Sequence, residues 1–507
     1  MLKRIVKELQ KPINLFLILM LTFGFAIRVW NLGNLLGFYF DQGRDGLVIW
    51  DLIHKGELFL IGPTTGLAGI FRAPYYYYLI APFYLIGRGN PIVPAVFLVI
   101  TSSFAIYLIY RLGEKIHSKP AGIIAAFIST FSFYIAMAAR WLSNPTPMLV
   151  LSMILVWAMI NVLDRKKWTW PVISLVVGLS LFSFGSAGEF FYIPAVGMFL
   201  IWTLITQGYG KKSSLDPKTM FISATLFVLT FLPLVVFDIK HDRILTHNIK
   251  ETFITEKSFT MPTKLLVNLR STFYYDVFTK IIFDYRGKYE LYVISVVALW
   301  FLISFPKLIK NKAYSVLILL LITPIVGLYF YQGNDTVLYD YYMTGYYMIF
   351  ILLFAIVLAD IWKFKIGKLF VLYFFYLFLS MNLSILIPRI KSNTNTTGSL
   401  YFANQKQAID WVYGDAEGVD FNVDVYVPPV IPYAYDYLFK WLGTYKYGRL
   451  PNTNKNIQLL YTLYEIDPSH PERLEAWMAR QKGIGKVEHE ESFGGITVQK
   501  RTRIKYE

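Results

Sequence analysis

Apolar residues along this chain gather in blocks of about 20, the length that crosses a bilayer as a helix. Eleven such blocks predict membrane helices near 12–30, 91–110, 120–138, 146–163, 170–186, 189–206, 218–237, 290–305, 313–330, 342–361 and 368–388. Beyond 388 the pattern changes. A polar linker at 392–399 leads to a segment, 421–427, that alternates like a strand. After it, 433–445 suggests an aromatic helix, 457–464 a strand or short helix, 472–481 a polar helix and 494–500 a last strand. The expected fold class is an α-helical polytopic membrane protein, residues 1–388, followed by a small α/β domain, 389–507. No inverted internal repeat of the transporter kind is visible.

Composition supports this reading. Of 507 residues, 55% are hydrophobic and only 16% charged, where a soluble chain carries about 25% charged residues. That excludes a disordered or nucleic-acid-wrapping protein. The net charge of +16 sits in short clusters between the blocks. Every second short loop is basic: Arg111/Lys115/Lys119, Arg165/Lys166/Lys167, Lys211/Lys212/Lys218, Lys307/Lys310/Lys312 and Lys363/Lys365/Lys368. The intervening short loops hold only Arg140. By the positive-inside rule the N-terminus is cytoplasmic and the C-terminal domain extracytoplasmic. Three long segments then lie outside: 31–90, 239–289 and 389–507. There is no cysteine, which removes disulfides and thiolate chemistry. Six dispersed histidines make a histidine metal cage improbable. The first block lacks a small-residue cleavage site after it and is expected to stay as a helix.

The segment 31–90 is the richest in candidate chemistry. Asp41, Arg44 and Asp45 follow the first block closely, and a helix would place Asp41 and Asp45 on one face. An amphipathic stretch, 47–54, comes next, and the segment closes with Arg72, Pro74 and the tyrosines Tyr75, Tyr76, Tyr77 and Tyr78. Such a segment suits the plane of the membrane surface. Each residue has a plain alternative: a helix cap for Asp41, snorkelling for Arg72, an interfacial belt for the tyrosines. Elsewhere, Glu189 lies at a turn between two blocks, where a buried carboxylate suggests function and an exposed one only hydration. Asp340 is either a donor contact or an exposed helix cap. In 239–289, His241, Asp242, Arg243, His247, Arg270, Asp276, Asp284 and Arg286 are mainly a solvated surface, with some free to line an acceptor entrance. The aromatic residues of 389–507, including Trp411, Tyr433, Tyr435, Tyr437, Trp441 and Trp477, serve either core packing, the commoner use, or sugar stacking.

These residues together resemble the polytopic glycosyltransferases of the GT-C fold, in particular the bacterial relatives of dolichyl-phosphate-mannose protein mannosyltransferases and lipid A aminoarabinose transferases. Their acidic motif after the first helix is matched by Asp41-Gln42-Gly43-Arg44-Asp45. Their Gly-x-Leu step is matched by Gly56-Glu57-Leu58. Their loop-closing Lys/His-Pro-Pro-Leu-Tyr-Tyr is matched by Arg72-Ala73-Pro74-Tyr75-Tyr76-Tyr77. The string from Ala139 to Pro145, with Arg140, resembles their second outer loop. Two departures stand out. Gln42 replaces a carboxylate, with Asp45 the candidate to compensate, and Arg72 is a planar fork where the family has Lys or His.

The resemblance implies a polyprenyl-phosphate-linked sugar donor, a hydroxyl acceptor (protein, lipid or glycan) and the bilayer as partners, with no nucleic acid. It implies Asp41 as the catalytic base and Arg72 as the cation on the leaving phosphate, with Arg140 a second candidate and inversion at the anomeric carbon. Arg44, Asp45, Glu189, Asp340 and Tyr75 are further candidates for binding the donor's phosphate or sugar. No cofactor is required, although Asp41 and Asp45 leave a divalent cation open. Two other classes compete: a transporter or flippase, which calls for broken helices and deep charges, and a polymerase or ligase, which would use 239–289.

Overall fold

A computed structural model describes residues 11–505, except 68, 256–261, 285–287, 331–336, 393, 395, 397 and 429–430. Each expected apolar block falls on a helix. Among the described residues seven helices are long and apolar enough to cross a membrane: Pro12–Val29, Ile92–Ile116, Gly188–Gln207, Pro217–Lys240, Tyr289–Leu308, Asp340–Ile361 and Lys365–Lys391. Met148–Leu163, Thr169–Phe184 and Lys312–Gly327 are shorter apolar helices. The protein is thus an integral membrane protein. The helix Asp340–Ile361 is the most enclosed of the seven, with apolar residues on all sides, as a central helix requires.

The block expected at 120–138 is broken. Lys119–Phe131 and Phe133–Ala139 meet at Ser132 with a bend of 67°. A break among apolar helices frees backbone groups that need partners, and side chains supply them. Ser132 Oγ accepts from Ile135 N at 3.3 Å and donates to Ile281 O at 2.6 Å. Asn382 Oδ1 accepts from Phe133 N at 2.8 Å. Arg28, 1% exposed, donates to Ser129 O at 2.7 Å and Gly24 O at 2.8 Å.

The segment 239–289 departs from the expected solvated surface. It holds a 21-residue helix, Thr263–Phe283, whose Phe273, Val277, Ile281 and Ile282 are buried. Arg270 is also buried and donates Nε to Leu328 O at 2.9 Å. Four charged side chains along the helix kept it out of the apolar pattern. His241, Asp242, Arg243 and His247 are exposed, as expected. Arg286 lies outside the described residues.

Several of the basic turns touch one another. Lys115 pairs with Asp164 at 2.9 Å, Lys167 with Asp216 at 2.6 Å, and Asn311 donates to Ile116 O at 3.0 Å.

At the C-terminus, a four-stranded sheet carries β1 (Asn422–Tyr426), β2 (Leu459–Glu465), β3 (Gly485–Phe493) and β4 (Ile496–Arg503). The order is β1-β2-β4-β3, with β1 parallel to β2 and the other pairs antiparallel. β3 was not legible as a strand. Its residues, GKVEHEESF, are exposed over most of its length, so no apolar alternation marks it. The helices Phe402–Asp415, Tyr433–Leu442 and Pro471–Ile484 complete this unit.

It is seated on the first loop segment. The helix Tyr433–Leu442 lies against the helix Phe40–Lys55, and two glycines permit the approach. A Cβ on Gly43 would stand 2.5 Å from Ala434 Cα, and one on Gly46 2.9 Å from the Tyr437 ring. Tyr437 donates its hydroxyl to Gly89 O at 2.6 Å, and Trp441 its Nε1 to Arg88 O at 2.9 Å. Tyr435, Tyr437 and Trp441 are buried. Packing, here between segments far apart in sequence, accounts for these aromatics.

Candidate active site

Asp41 lies in the first turn of the helix Phe40–Lys55, where the helix dipole favours a carboxylate. Gln42 fixes that turn. Its Oε1 accepts from Tyr39 N at 3.0 Å, and its Nε2 donates to Leu142 O at 3.2 Å. The amide thus ties the acidic motif to the short loop after Arg140, using a donor that a carboxylate would lack. At its other end the helix stops at Gly56, whose φ of 71° suits glycine.

Arg44 lies between the two aspartates. Its Nη1 is 2.9 Å from Asp41 Oδ1 and 2.9 Å from Thr64 Oγ1, and its Nη2 is 2.8 Å from Asp45 Oδ1. Asp45 is buried and also accepts from the Tyr77 hydroxyl at 2.8 Å. Burial pushes its carboxyl up to about 6, against the pull of Arg44 and Tyr77. Asp45 therefore orients Arg44 from behind, and Asp41, 56% exposed, is the carboxylate that faces open space. A guanidinium already fills the gap between Asp41 and Asp45, the pair that the sequence left open to a cation. Among the described residues no group of three or more histidines and carboxylates stands together.

Arg72 is held by its backbone. Gly62 N donates to Arg72 O at 2.6 Å and Arg72 N to Pro63 O at 3.0 Å, closing a small hairpin. Ala73 N then donates to Phe182 O at 2.6 Å. The half-buried guanidinium makes no hydrogen bond or ion pair with the described residues. Burial lowers its pKa from the ordinary arginine value, against the opposing pull of nearby Glu189 and the Tyr341 and Tyr342 hydroxyls.

Asp41 and Arg72 line one cavity of about 400 Å³, with Trp141, Asn144, Tyr341 and Tyr342 among the facing residues. That size falls in the range of small-molecule sites. Asn144 is anchored by its donation to Phe184 O at 3.1 Å, and Trp141 meets Tyr341 edge-on at 5.5 Å between centroids. The cavity thus joins one exposed carboxylate, one unpaired guanidinium and several aromatic rings.

The remaining candidates stand elsewhere. Arg140 is engaged away from the cavity: its Nη1 donates to Ile27 O, Arg28 O and Trp30 O at 3.2, 3.1 and 2.8 Å. It caps the end of the first membrane helix and does not line the cavity. Glu189 is fully buried, accepting from Ser186 N and Gly345 N, each at 2.6 Å. It braces the wall that carries Ser186 and Tyr342. Asp340 pairs with Lys280 at 2.6 Å, a partner that sequence reasoning did not name. Tyr75 donates its hydroxyl to Leu229 O, in a neighbouring helix. Sequence reasoning missed Tyr341 and Tyr342, which line the cavity. The three tyrosines around Asp340, at 339, 341 and 342, are the signal for them.

Residues 72–237 match the family model described as dolichyl-phosphate-mannose-protein mannosyltransferase. The match takes in Arg72 and leaves Asp41 outside. No curated protein sequence matches the chain significantly. Among solved structures, ArnT from Cupriavidus metallidurans bound to undecaprenyl phosphate is 10% identical, covering 96% of this chain and 97% of that one, with a TM-score of 0.59. Its apo form gives the same identity and coverage, with a TM-score of 0.58. The archaeal oligosaccharyltransferase AglB from Archaeoglobus fulgidus is 11% identical, covering 97% and 74%, with a TM-score of 0.48. The fold and family pattern expected from the first loop segment are those found: the chain has the GT-C fold and is similar, over residues 72–237, to the dolichyl-phosphate-mannose-protein mannosyltransferases.

Proposed function

We propose that the protein transfers a sugar from a polyprenyl-phosphate-linked donor to a hydroxyl acceptor on the extracytoplasmic face of the membrane, with inversion. One observation carries the reading: an exposed carboxylate, Asp41, and an unpaired guanidinium, Arg72, face the same cavity. The family match, and the undecaprenyl phosphate bound by the solved ArnT, support the choice of donor.

The chemistry follows from these two groups. The acceptor oxygen attacks the anomeric carbon and gives its proton to Asp41. The bond from that carbon to the phosphate oxygen breaks, and the electron pair leaves with the phosphate. The leaving polyprenyl phosphate gains one negative charge, which Arg72 meets with a charge-assisted hydrogen bond. No general acid is needed, because the leaving group is a phosphate. Arg44 holds Asp41 in position beside the cavity while Asp45 holds Arg44. A single displacement of this kind inverts the anomeric centre, unlike the two-carboxylate chemistry of retaining glycosidases. The end bearing the sheet faces outward in this proposal, and the basic turns face the cytoplasm.

The test is sugar transfer from a panel of radiolabelled polyprenyl-phosphate sugars, in inside-out and right-side-out vesicles, with wild type and Asp41→Asn. Label should leave the lipid only on the outer face, and Asp41→Asn should slow transfer about 10²- to 10⁴-fold. Full turnover by Asp41→Asn would remove it as the base. A lipid-linked sugar that only changes leaflet would make the protein a flippase.

A further inference from the structure

Among the described residues the sheet order leaves one edge of β1 without a partner strand. A cleft of about 640 Å³ runs along that edge. Four consecutive residues line it: Val423, Asp424, Val425 and Tyr426. A sheet face presents only alternate residues, so a lining of four in a row means that the cleft follows the strand edge itself. Among the described residues no backbone hydrogen bond reaches Val423–Tyr426 from the cleft side; the neighbouring contact, Asn452 N to Phe421 O at 2.8 Å, stops short of them. Unpaired edge groups are a template for another extended backbone.

Pro432, Asp436 and Leu47 also line the cleft. Asp436 is exposed and has no hydrogen-bond or ion-pair partner among the described residues. The cleft's other charges are engaged: Asp424 accepts from Arg480 at 3.0 Å and from Gln481 at 2.6 Å, and Lys440 pairs with Asp51 at 3.2 Å. A free carboxylate in the lining of a cleft that also holds an open strand edge calls for an extended chain that carries a cation.

We propose that this cleft binds an extended polypeptide, which adds to β1 as an edge strand and sets a basic side chain against Asp436. This rests on the transfer reaction above and adds a docking edge, outside the catalytic cavity, that holds an extended chain. The placement suits delivery to the cavity. Leu47, in the cleft wall, and Asp41, in the cavity, belong to one helix, and six residues of helix rise about 9 Å. An extended peptide covers that rise in about three residues. Pro432, at the cleft's rim, precedes Tyr433, whose ring meets Phe40, the neighbour of Asp41, edge-on at 4.9 Å between centroids.

The test measures binding without any sugar donor, on the full chain in nanodiscs. The probe is a fluorescein-labelled heptapeptide, Thr-Val-Thr-Lys-Thr-Val-Thr, read by anisotropy. Two analogues are N-methylated at the odd or at the even positions, which block opposite edges of an extended strand. One analogue should bind at least tenfold more weakly and the other should match the parent. Asp436→Asn should weaken the parent about tenfold and leave a Lys-to-Gln peptide unchanged. Asp41→Asn should bind the probe like wild type even where transfer is lost, which separates this proposal from the catalytic one. Equal binding by both methylated analogues, or no saturable binding up to about 1 mM, would overturn it while leaving the transferase reading intact. Displacement of the probe by a soluble tetrasaccharide, lost in Asp436→Asn, would give the cleft to a glycan instead.

Discussion

Gly43 offers the sharpest test of how the C-terminal domain bears on catalysis. An alanine there would place its Cβ 2.5 Å from Ala434 Cα and closer still to the Tyr433–Ala434 peptide. Ordinary carbon contacts begin at about 3.5 Å, so one helix must move by about 1 Å. The obstacle is backbone on both sides, and rotation of a side chain cannot relieve it. Overpacking of this kind costs about 1–3 kcal/mol. Gly43 is two residues from Asp41, and a displacement of about 1 Å in a reacting group can cost about a hundredfold in rate. Gly43→Ala should therefore lower kcat by about tenfold to a hundredfold and lower the melting temperature. Gly46→Ala should cost less, because its obstacle is the Tyr437 ring, a side chain that can turn. Gly197→Ala, with nothing within 4 Å of the added atom, should change neither. Transfer assays and thermal unfolding of the three variants in one detergent decide the matter. Wild-type turnover and stability in Gly43→Ala would refute the reasoning.

Arg72→Ala should weaken binding of polyprenyl phosphate by about tenfold to a hundredfold, the worth of a charged hydrogen bond, and Arg72→Lys should recover part of it; titration with the phosphorylated lipid reads both. Arg140→Ala strips a donor from three carbonyls and should destabilise the chain by about 1–3 kcal/mol, while the folded fraction keeps its affinity for the donor. The carboxyl of Asp45 sits near 6 in the folded chain against an ordinary value of 3.8, so the folded state holds its proton more tightly. Its contribution to stability is fullest below about pH 4 and declines as pH rises toward 6. Asp45→Asn should flatten that part of the stability–pH curve in thermal unfolding.

The apolar blocks were legible because a bilayer demands uninterrupted runs, and the helices follow those runs closely. Where polarity interrupts, legibility fails. Ser132 is one of three small hydroxyl residues, with Ser129 and Thr130, in an otherwise apolar block, so the 67° break leaves little trace in the pattern. The helix Thr263–Phe283 carries charges whose partners, Leu328 O for Arg270 and Asp340 for Lys280, lie about 60 residues away. Without those partners the segment resembles a loop. At the candidate site, Asp41 and Arg72 were visible as charges beside a membrane segment. Arg140 carries the same kind of charge in the same kind of loop, and its duty as a cap depends on carbonyls more than 100 residues earlier. A motif shows which side chains are polar; only the fold shows which of them are already engaged.

Arg28 has a consequence for how the protein is made. Its acceptors at Ser129 and Thr130 follow it by 101 and 102 residues. At a synthesis rate of about 5–20 residues per second, the first helix waits roughly 5–20 s for them. Throughout that interval it carries an arginine that membrane insertion penalises by about 2.5–3.5 kcal/mol at mid-helix, less near an end. Biogenesis must therefore hold this helix at the translocon, or near the lipid surface, until the broken helix arrives to accept it.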